Sequence, residues 1–375
     1  MTHMAPDFVI LGGGVIGLST AYHLAKQGAG VTVLDAVTEG PASTAAAGML
    51  APLAETSQPG PFLDLSLDSL RRYPAFLADL QEATGKAPEI AGPGMLRVAQ
   101  TEAEEAAQCA AFAWQQQRGL PLTRLNQDEL RRLEPALGPE ARSAVLSPEE
   151  RHVNPRLLRH ALISACRHVG AQVNLASGAT GFVTDNARVT AVQTKRDEIA
   201  GSQIVLCGGA WSGLMSQWLD APLPVTPLRG QALSLGPQSP LPVRHTIYAH
   251  DGYLVPRRER HIELLIVGAT EEAVGFDAER TAGGCASLLN MALALAPPLA
   301  EMPFYSHWAG LRPVSADGLP LLGRLPGWDN VHVATGHGRN GILLTPITGA
   351  LMADHLLHDA PLPAAFNPAR FGSNP

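Results

Sequence analysis

Gly12, Gly14 and Gly17 stand at the spacing Gly-x-Gly-x-x-Gly, and an aspartate follows at position 35. Each residue type has a task in holding a dinucleotide. Gly12 permits a tight turn out of a strand. Gly14, having no Cβ, lets a pyrophosphate lie against the backbone. Gly17 lets the following helix pack closely on the sheet. Asp35 can accept hydrogen bonds from both hydroxyls of a ribose, and an acid here favours an unphosphorylated ribose, hence FAD or NAD over NADP. The motif does not separate those two.

The elements that must position these residues are legible around them. Phe8-Val-Ile-Leu11 is a short apolar run of the kind that forms a buried strand, an alanine-rich amphipathic pattern follows, and Val31-Thr-Val-Leu34 is a second run. A glycine triplet alone is common in turns. Strand before, helix after and an acid about 20 residues on make this one a nucleotide fingerprint. The next stretch, Ser43-Thr44-Ala45-Ala46-Ala47-Gly48-Met49, is built of small residues, as suits backbone lying against a flat ligand.

Composition bounds the function classes. The 375 residues give room for two domains, and 46% hydrophobic against 16% charged residues describes a well-buried enzyme, not a disordered chain. A net charge of −7 argues against nucleic acid as a partner. No run of eighteen apolar residues offers a membrane span. The N-terminus lacks the basic start of a secretory signal, and Met1-Thr-His-Met4 reads as partly added sequence. Cys109, Cys166, Cys207 and Cys285 are far apart and make no metal-binding pattern, which suits isolated thiols in a reducing cytoplasm.

Further along, the spacing predicts helices over 64–84, 102–118 and 126–133, a strand over 95–99, and a helix from Asn154-Pro155 to Val169, with Asn154 as its cap. Strands are expected at 181–184, 188–194 and 203–207, the last running into Gly208-Gly209-Ala210, again a place where backbone can meet phosphate or a flavin. Alternating patterns at 231–235, 246–250, 252–256 and 263–268 predict an antiparallel sheet. Helices are expected over 286–295 and 346–358. The fold class expected is α/β: a Rossmann-like nucleotide domain woven through a second domain on a mainly antiparallel sheet. Its boundaries are read as 1–86, 148–222 and 309–375 for the first, and 87–147 with 223–308 for the second.

Four separated segments carry a resemblance. The N-terminal fingerprint, Ser43 to Met49, Gly310-Leu311-Arg312-Pro313 with Asp317-Gly318, and Gly336-His337-Gly338-Arg339-Asn340-Gly341-Ile342 resemble the D-amino-acid oxidase superfamily of FAD enzymes, and within it the glycine oxidases that serve the thiazole branch of thiamine synthesis. The resemblance implies non-covalent FAD, since no cysteine lies in the matched flavin segments. It implies that Gly12, Gly14, Val15, Ile16 and Gly17 form the pyrophosphate turn, that Asp35 and Ala36 meet the adenosine ribose, and that Val173 pairs its backbone with the adenine. Ala42, Ser43 and Ala47, Gly48 and Met49 would line the flavin, with His337, Gly338, Arg339, Asn340, Gly341, Ile342 and Leu343 running under its ring system. Arg312 and Arg339 match positions that hold a substrate carboxylate, and Tyr253 matches an active-site tyrosine.

A guanidinium answers a carboxylate with two parallel charge-assisted hydrogen bonds, and Arg312 between Gly310-Leu311 and Pro313 is poorly placed for a solvated arginine. His250 and His337 are expected to neighbour the site without acting as bases. The implied reaction is hydride transfer from the substrate's α-carbon to the flavin, giving an imine that water hydrolyses to a 2-oxo acid and ammonia, with oxygen reduced to hydrogen peroxide. Small amines or amino acids and oxygen are thus the expected partners, and a homo-oligomer is expected by analogy. Three rivals stand beside this reading. One is a relative acting on sarcosine, proline or a D-amino acid, passing electrons to oxygen or to a respiratory acceptor. Another is the flavin subunit of a multisubunit oxidase. The third, an NAD dehydrogenase, leaves the C-terminal segments unexplained.

Overall fold

The computed structural model describes residues 6–56, 58–259 and 261–372, so the opening stretch read as added sequence lies outside the described residues. The nucleotide fingerprint folds as its pattern dictates. Strand Phe8–Leu11, fully buried, turns into helix Val15–Lys26 and returns as strand Val31–Leu34, parallel to the first with Phe8 opposite Val31. On the other side of Phe8–Leu11 lies strand Gln203–Leu206, also parallel, then Val331–Thr335; Gln172–Asn174 and Leu321–Arg324 form the two edges, the latter antiparallel. Strands in such a sheet are buried on both faces and therefore read as continuous apolar runs.

One face is covered by helices Val15–Lys26, Pro61–Thr84, Pro155–His168 and Thr345–His358, which bury Tyr22, Leu24, Tyr73, Leu80 and Leu162 against the sheet. Each such side chain contributes about 1.5–3 kcal/mol by leaving water. The opposite face is covered by a three-stranded antiparallel sheet, Ala179–Asp185, Arg188–Thr194 and Glu198–Ala200. These strands form the crossover from Gln172–Asn174 to Gln203–Leu206. A parallel connection needs a dozen or more residues, and here a meander supplies them in place of a helix.

The second sheet has eight strands, in the order Phe304–Ser315, Val225–Leu235, Ile262–Gly268, Gly252–Glu259, Thr246–Ala249, Met95–Ala99, Ser143–Ser147 and Thr123–Leu125. It is antiparallel except where Thr246–Ala249 runs parallel to Met95–Ala99. Those two strands are joined through a long stretch of chain, so no hairpin forces them antiparallel. Helix Ala282–Leu295 packs Leu288, Ala292 and Leu295 beneath the sheet, closing a separate core.

The expected helices recur at 61–84, 102–117, 127–133, 155–168, 282–295 and 345–358. Their caps explain their starts: Asn126 and Glu129 form a reciprocal capping box, and the Asn154 side chain accepts from Arg156 N at 3.1 Å and Leu157 N at 3.2 Å. Strands Thr123–Leu125 and Ser143–Ser147 went unforeseen, being short and nearly without alternation. The expected boundary at 309 falls inside strand Phe304–Ser315, which pairs along the whole of Val225–Leu235 and so belongs to the larger sheet. No helix among the described residues is long and apolar enough to cross a membrane.

Candidate active site

A cavity of about 520 Å³ opens at the carboxyl ends of the parallel strands and runs beneath the larger sheet. That is where open parallel sheets bind ligands, and the volume is that of a cofactor or small-molecule pocket. Its two ends are built differently.

At the nucleotide end the wall is backbone. Gly12 has φ +124°, and a Cβ there would strike the carbonyl of Cys207 on the neighbouring strand; a Cβ on Gly17 would strike the carbonyl of Gly12. Helix Val15–Lys26 begins here with no side-chain cap and no acid in its first turn. The N–H groups of its first turn beyond Val15 are left without a cap, and this end carries the partial positive charge that suits phosphate. The Ser43 hydroxyl accepts from Val15 N at 3.1 Å. Asp35 lies against Gly13, whose Cβ would come within 2.7 Å of Oδ2, and its carboxylate accepts from Arg159 Nη2 at 3.1 Å. Burial pushes the Asp35 carboxyl up, against the opposing pull of the Gly13 N–H and Arg159. Gly208, Gly209 and Trp211 complete the wall. A glycine cradle, a helix terminus whose own cap residue offers no side chain, and a carboxylate on the cavity wall fit FAD.

The small-residue stretch lies between the two ends. Trp308 Nε1 donates to Ala45 O at 2.9 Å, Arg257 donates to Ala47 O, and Val153 N donates to Gly48 O at 2.9 Å. The backbone of Ala42, Ser43, Ala47, Gly48 and Met49 is thus pinned along the cavity that these residues line.

At the other end the wall is side chains, each resting where a neighbouring strand offers a glycine. Tyr253 lies over Gly268, its cross-strand partner, and Arg312 lies over Gly230, where a Cβ would sit 2.5 Å from the guanidinium. Arg312 donates from Nη1 to Thr270 O at 2.9 Å and has no ion pair among the described residues. Burial lowers its pKa, and burial raises that of the Tyr253 hydroxyl. Met49 packs with Tyr253 and Tyr248 as the apolar wall.

Arg339 differs. Its Nε lies 3.1 Å from Glu55, its Nη1 2.6 Å from Glu271, and its Nη2 3.4 Å from the Tyr248 hydroxyl. Burial works to lower its pKa, but the carboxylates of Glu55 and Glu271 outweigh it and hold the pKa above the usual value. Burial pushes Glu55 up, against the pull of Arg339. Both arginines are expected to hold a substrate carboxylate; of the two, Arg312 has no ion pair among the described residues, whereas Arg339 already has two carboxylate partners.

His337 is buried, 3.1 Å from the Thr348 hydroxyl through Nε2, and burial drives its pKa down to about 3, so it is neutral. Gly338, Arg339, Asn340, Gly341 and Ile342 join it along the cavity, and this turn is clamped from behind: Ser69 Oγ donates to Leu343 O at 2.6 Å and Tyr73 OH donates to Ile342 O. Leu343, Gly17 and Val173 do not line the cavity; the Val173 carbonyl accepts from Arg167 Nη2 at 3.4 Å. His250, expected beside the site, is instead 77% exposed on a turn next to Asp251. Sequence reasoning missed Arg159, Glu55, Tyr248, Thr270 and Glu271. Only Thr270-Glu271-Glu272, an acidic pair closing an apolar strand, left a visible signal.

A family model for FAD dependent oxidoreductases, DAO, matches residues 7–355. The glycine oxidase of Pseudomonas aeruginosa is 35% identical over 370 residues, covering 98% of this chain and 99% of that protein. A bifunctional protein ThiO/ThiG of Synechocystis sp. is 36% identical across 97% of this chain, which spans only 54% of that longer protein. The crystal structure of glycine oxidase from Geobacillus kaustophilus superposes with a TM-score of 0.88 at 31% identity, covering 98% of this chain and 97% of that one. A glycine cradle with a carboxylate at one end of the cavity, and a half-buried arginine without an ion pair among the described residues at the other, accord with these likenesses, and the chain belongs to the DAO family of FAD-dependent oxidoreductases.

Proposed function

We propose that this chain oxidises glycine and other small primary or secondary amines, such as sarcosine and small D-amino acids, to the corresponding 2-oxo acid or aldehyde. The observation that carries this reading is Arg312: a half-buried cation on the cavity wall with one carbonyl partner and, among the described residues, no carboxylate of its own. An amino acid's carboxylate would complete it with two charge-assisted hydrogen bonds. Tyr253, kept neutral by burial, can donate a third. Met49 and the tyrosine pair would bound the space for the α-carbon with an apolar wall, which suits a substrate with a small side chain.

The chain's residues orient and exclude water, and bound FAD supplies the two-electron acceptor, which oxygen restores as it becomes hydrogen peroxide. No residue at the Arg312 end is poised as a base. His337 is neutral but tied to Thr348, Tyr253 holds its proton, and Glu55 faces Arg339. The substrate amine would therefore bind neutral; loss of a hydride from its α-carbon leaves an iminium, and water adds to it, giving the carbonyl while the nitrogen departs with its protons as ammonium or a primary amine. Arg312 as the carboxylate anchor, Tyr253 as donor and Arg339 as a source of positive potential are the roles assigned. With the boundary moved past strand Phe304–Ser315, residues 1–86, 148–222 and 316–375 are assigned to holding the cofactor, and 87–147 with 223–315 to covering the substrate. The cofactor is held without a covalent bond: Cys207, the cysteine at the cavity wall, is buried, and burial pushes its thiol up to about 12. The product would feed thiamine thiazole synthesis.

The test is to purify the chain, record its visible spectrum, and measure peroxide from glycine, sarcosine, D-alanine and D-proline in air. A flavin spectrum with peroxide from glycine is expected. Flavin reduction without peroxide would point to another acceptor, and a colourless protein would overturn the reading.

A further inference from the structure

Two arginines face the substrate end of the cavity, and a short turn after strand Ile262–Gly268 decides what each can do. Thr270 O takes one Arg312 N–H, and the next residue, Glu271, takes Arg339 at 2.6 Å. Glu272 then fixes the turn by accepting from Arg229 Nη2 at 2.5 Å. Glu55, from the other side of the cavity, takes Arg339 Nε. Two cations and two carboxylates thus meet here, and their formal charges cancel before any ligand enters. A ligand with one carboxylate finds Arg312. A second carboxylate finds Arg339 with every nitrogen engaged and two like charges beside it, and like charges in a partly dry site repel strongly.

Resting on the proposed function, we propose that Glu271, together with Glu55, restricts this cavity to monocarboxylates by occupying Arg339. Without this neutralisation the pair of arginines would be suited to dicarboxylates, such as aspartate or an N-carboxymethyl amino acid. Glu271 is the residue to change first. Its side chain is 47% exposed, so substitution disturbs no core, whereas Glu55 is nearly enclosed at 12%.

The experiment uses the flavin-loaded protein and follows the visible flavin absorbance while glycolate, malonate or succinate is added at constant ionic strength. These acids are not amines, so the reading is of binding and not of turnover. The malonate-to-glycolate affinity ratio is expected to rise at least tenfold in Glu271→Gln, with a change in the same direction in Glu55→Gln. A ratio unchanged in both variants, with glycolate still bound, would overturn the inference and leave the proposed function standing. A wild-type protein that binds none of the acids and oxidises no amine would overturn the proposed function, and this inference with it. A merely structural role for the Glu271–Arg339 pair predicts altered melting temperature with no change in the ratio.

Discussion

The two ends of the cavity solve the same problem, recognition of a charged ligand, by different means. At the nucleotide end, backbone does most of the work. Gly12 to Val15 and the helix behind them come from one unbroken stretch, and Asp35 adds the main charge. At the substrate end, side chains do it: Arg312, Tyr253, Arg339, Glu55 and Glu271 come from separate parts of the chain. The first arrangement is set by local turn chemistry and tolerates little but glycine. The second is set by which charges meet, so a single substitution can change what it binds while leaving the fold intact.

If that division is right, the two ends fail separately. The largest effect is expected from Arg312→Ala. Losing a desolvated charge-assisted pair, about 2–5 kcal/mol, should raise the apparent substrate KM by orders of magnitude while the protein keeps its yellow colour. Unchanged steady-state kinetics would remove Arg312 from the site.

Next comes acid stability, which belongs to the side-chain end. The His337 pKa falls from 6.5 to about 3 on folding, so the unfolded chain takes up a proton that the folded one refuses. Its contribution to stability is complete above pH 6.5 and is lost as pH falls from there toward 3. By pH 4.5 the loss is about 3 kcal/mol, and urea unfolding of wild type and His337→Gln should show the variant less pH-sensitive. Equal slopes would mean that His337 is not held neutral. His152 and His332, also driven by burial to about 3, keep part of the slope in either protein.

Asp35→Ala should weaken FAD about ten- to a hundredfold, the worth of hydrogen bonds to a charged group, with saturated turnover little changed. Dilution and gel filtration would reveal it, and a variant that stays fully yellow would blur the division. The smallest effect is expected from Arg159→Ala. It removes a partly exposed partner of Asp35 and of the Gly13 carbonyl, about 1 kcal/mol, visible in FAD titrations of the apoprotein and not in substrate KM.

The same contrast explains what could be read from the sequence. The strand–turn–helix at Phe8 to Lys26 was legible because every constraint on it is local: apolar run, glycine spacing, helix period. Arg312 stood out because its glycine and proline neighbours leave it no solvated face. Glu55 could not be read, for its meaning comes from Arg339, 284 residues away. Arg159 is one polar position on a helix that has many. The pairing of Arg339 was likewise invisible, since an arginine's type says what it can bind and not what already binds it.

The clamp of Ser69 and Tyr73 on Leu343 and Ile342 has a temporal meaning. The glycine turn leaves the ribosome some 320 residues before the strand Val331–Thr335 that extends its sheet and the turn at 337–342 that completes the cavity. The early helix Pro61–Thr84 must wait, with hydrogen-bonding groups ready, for carbonyls made some 270 residues later. Cofactor capture by a nascent chain would therefore wait until residues 337–342 had been made, so flavin retention checks the integrity of the chain from the glycine turn through to that point.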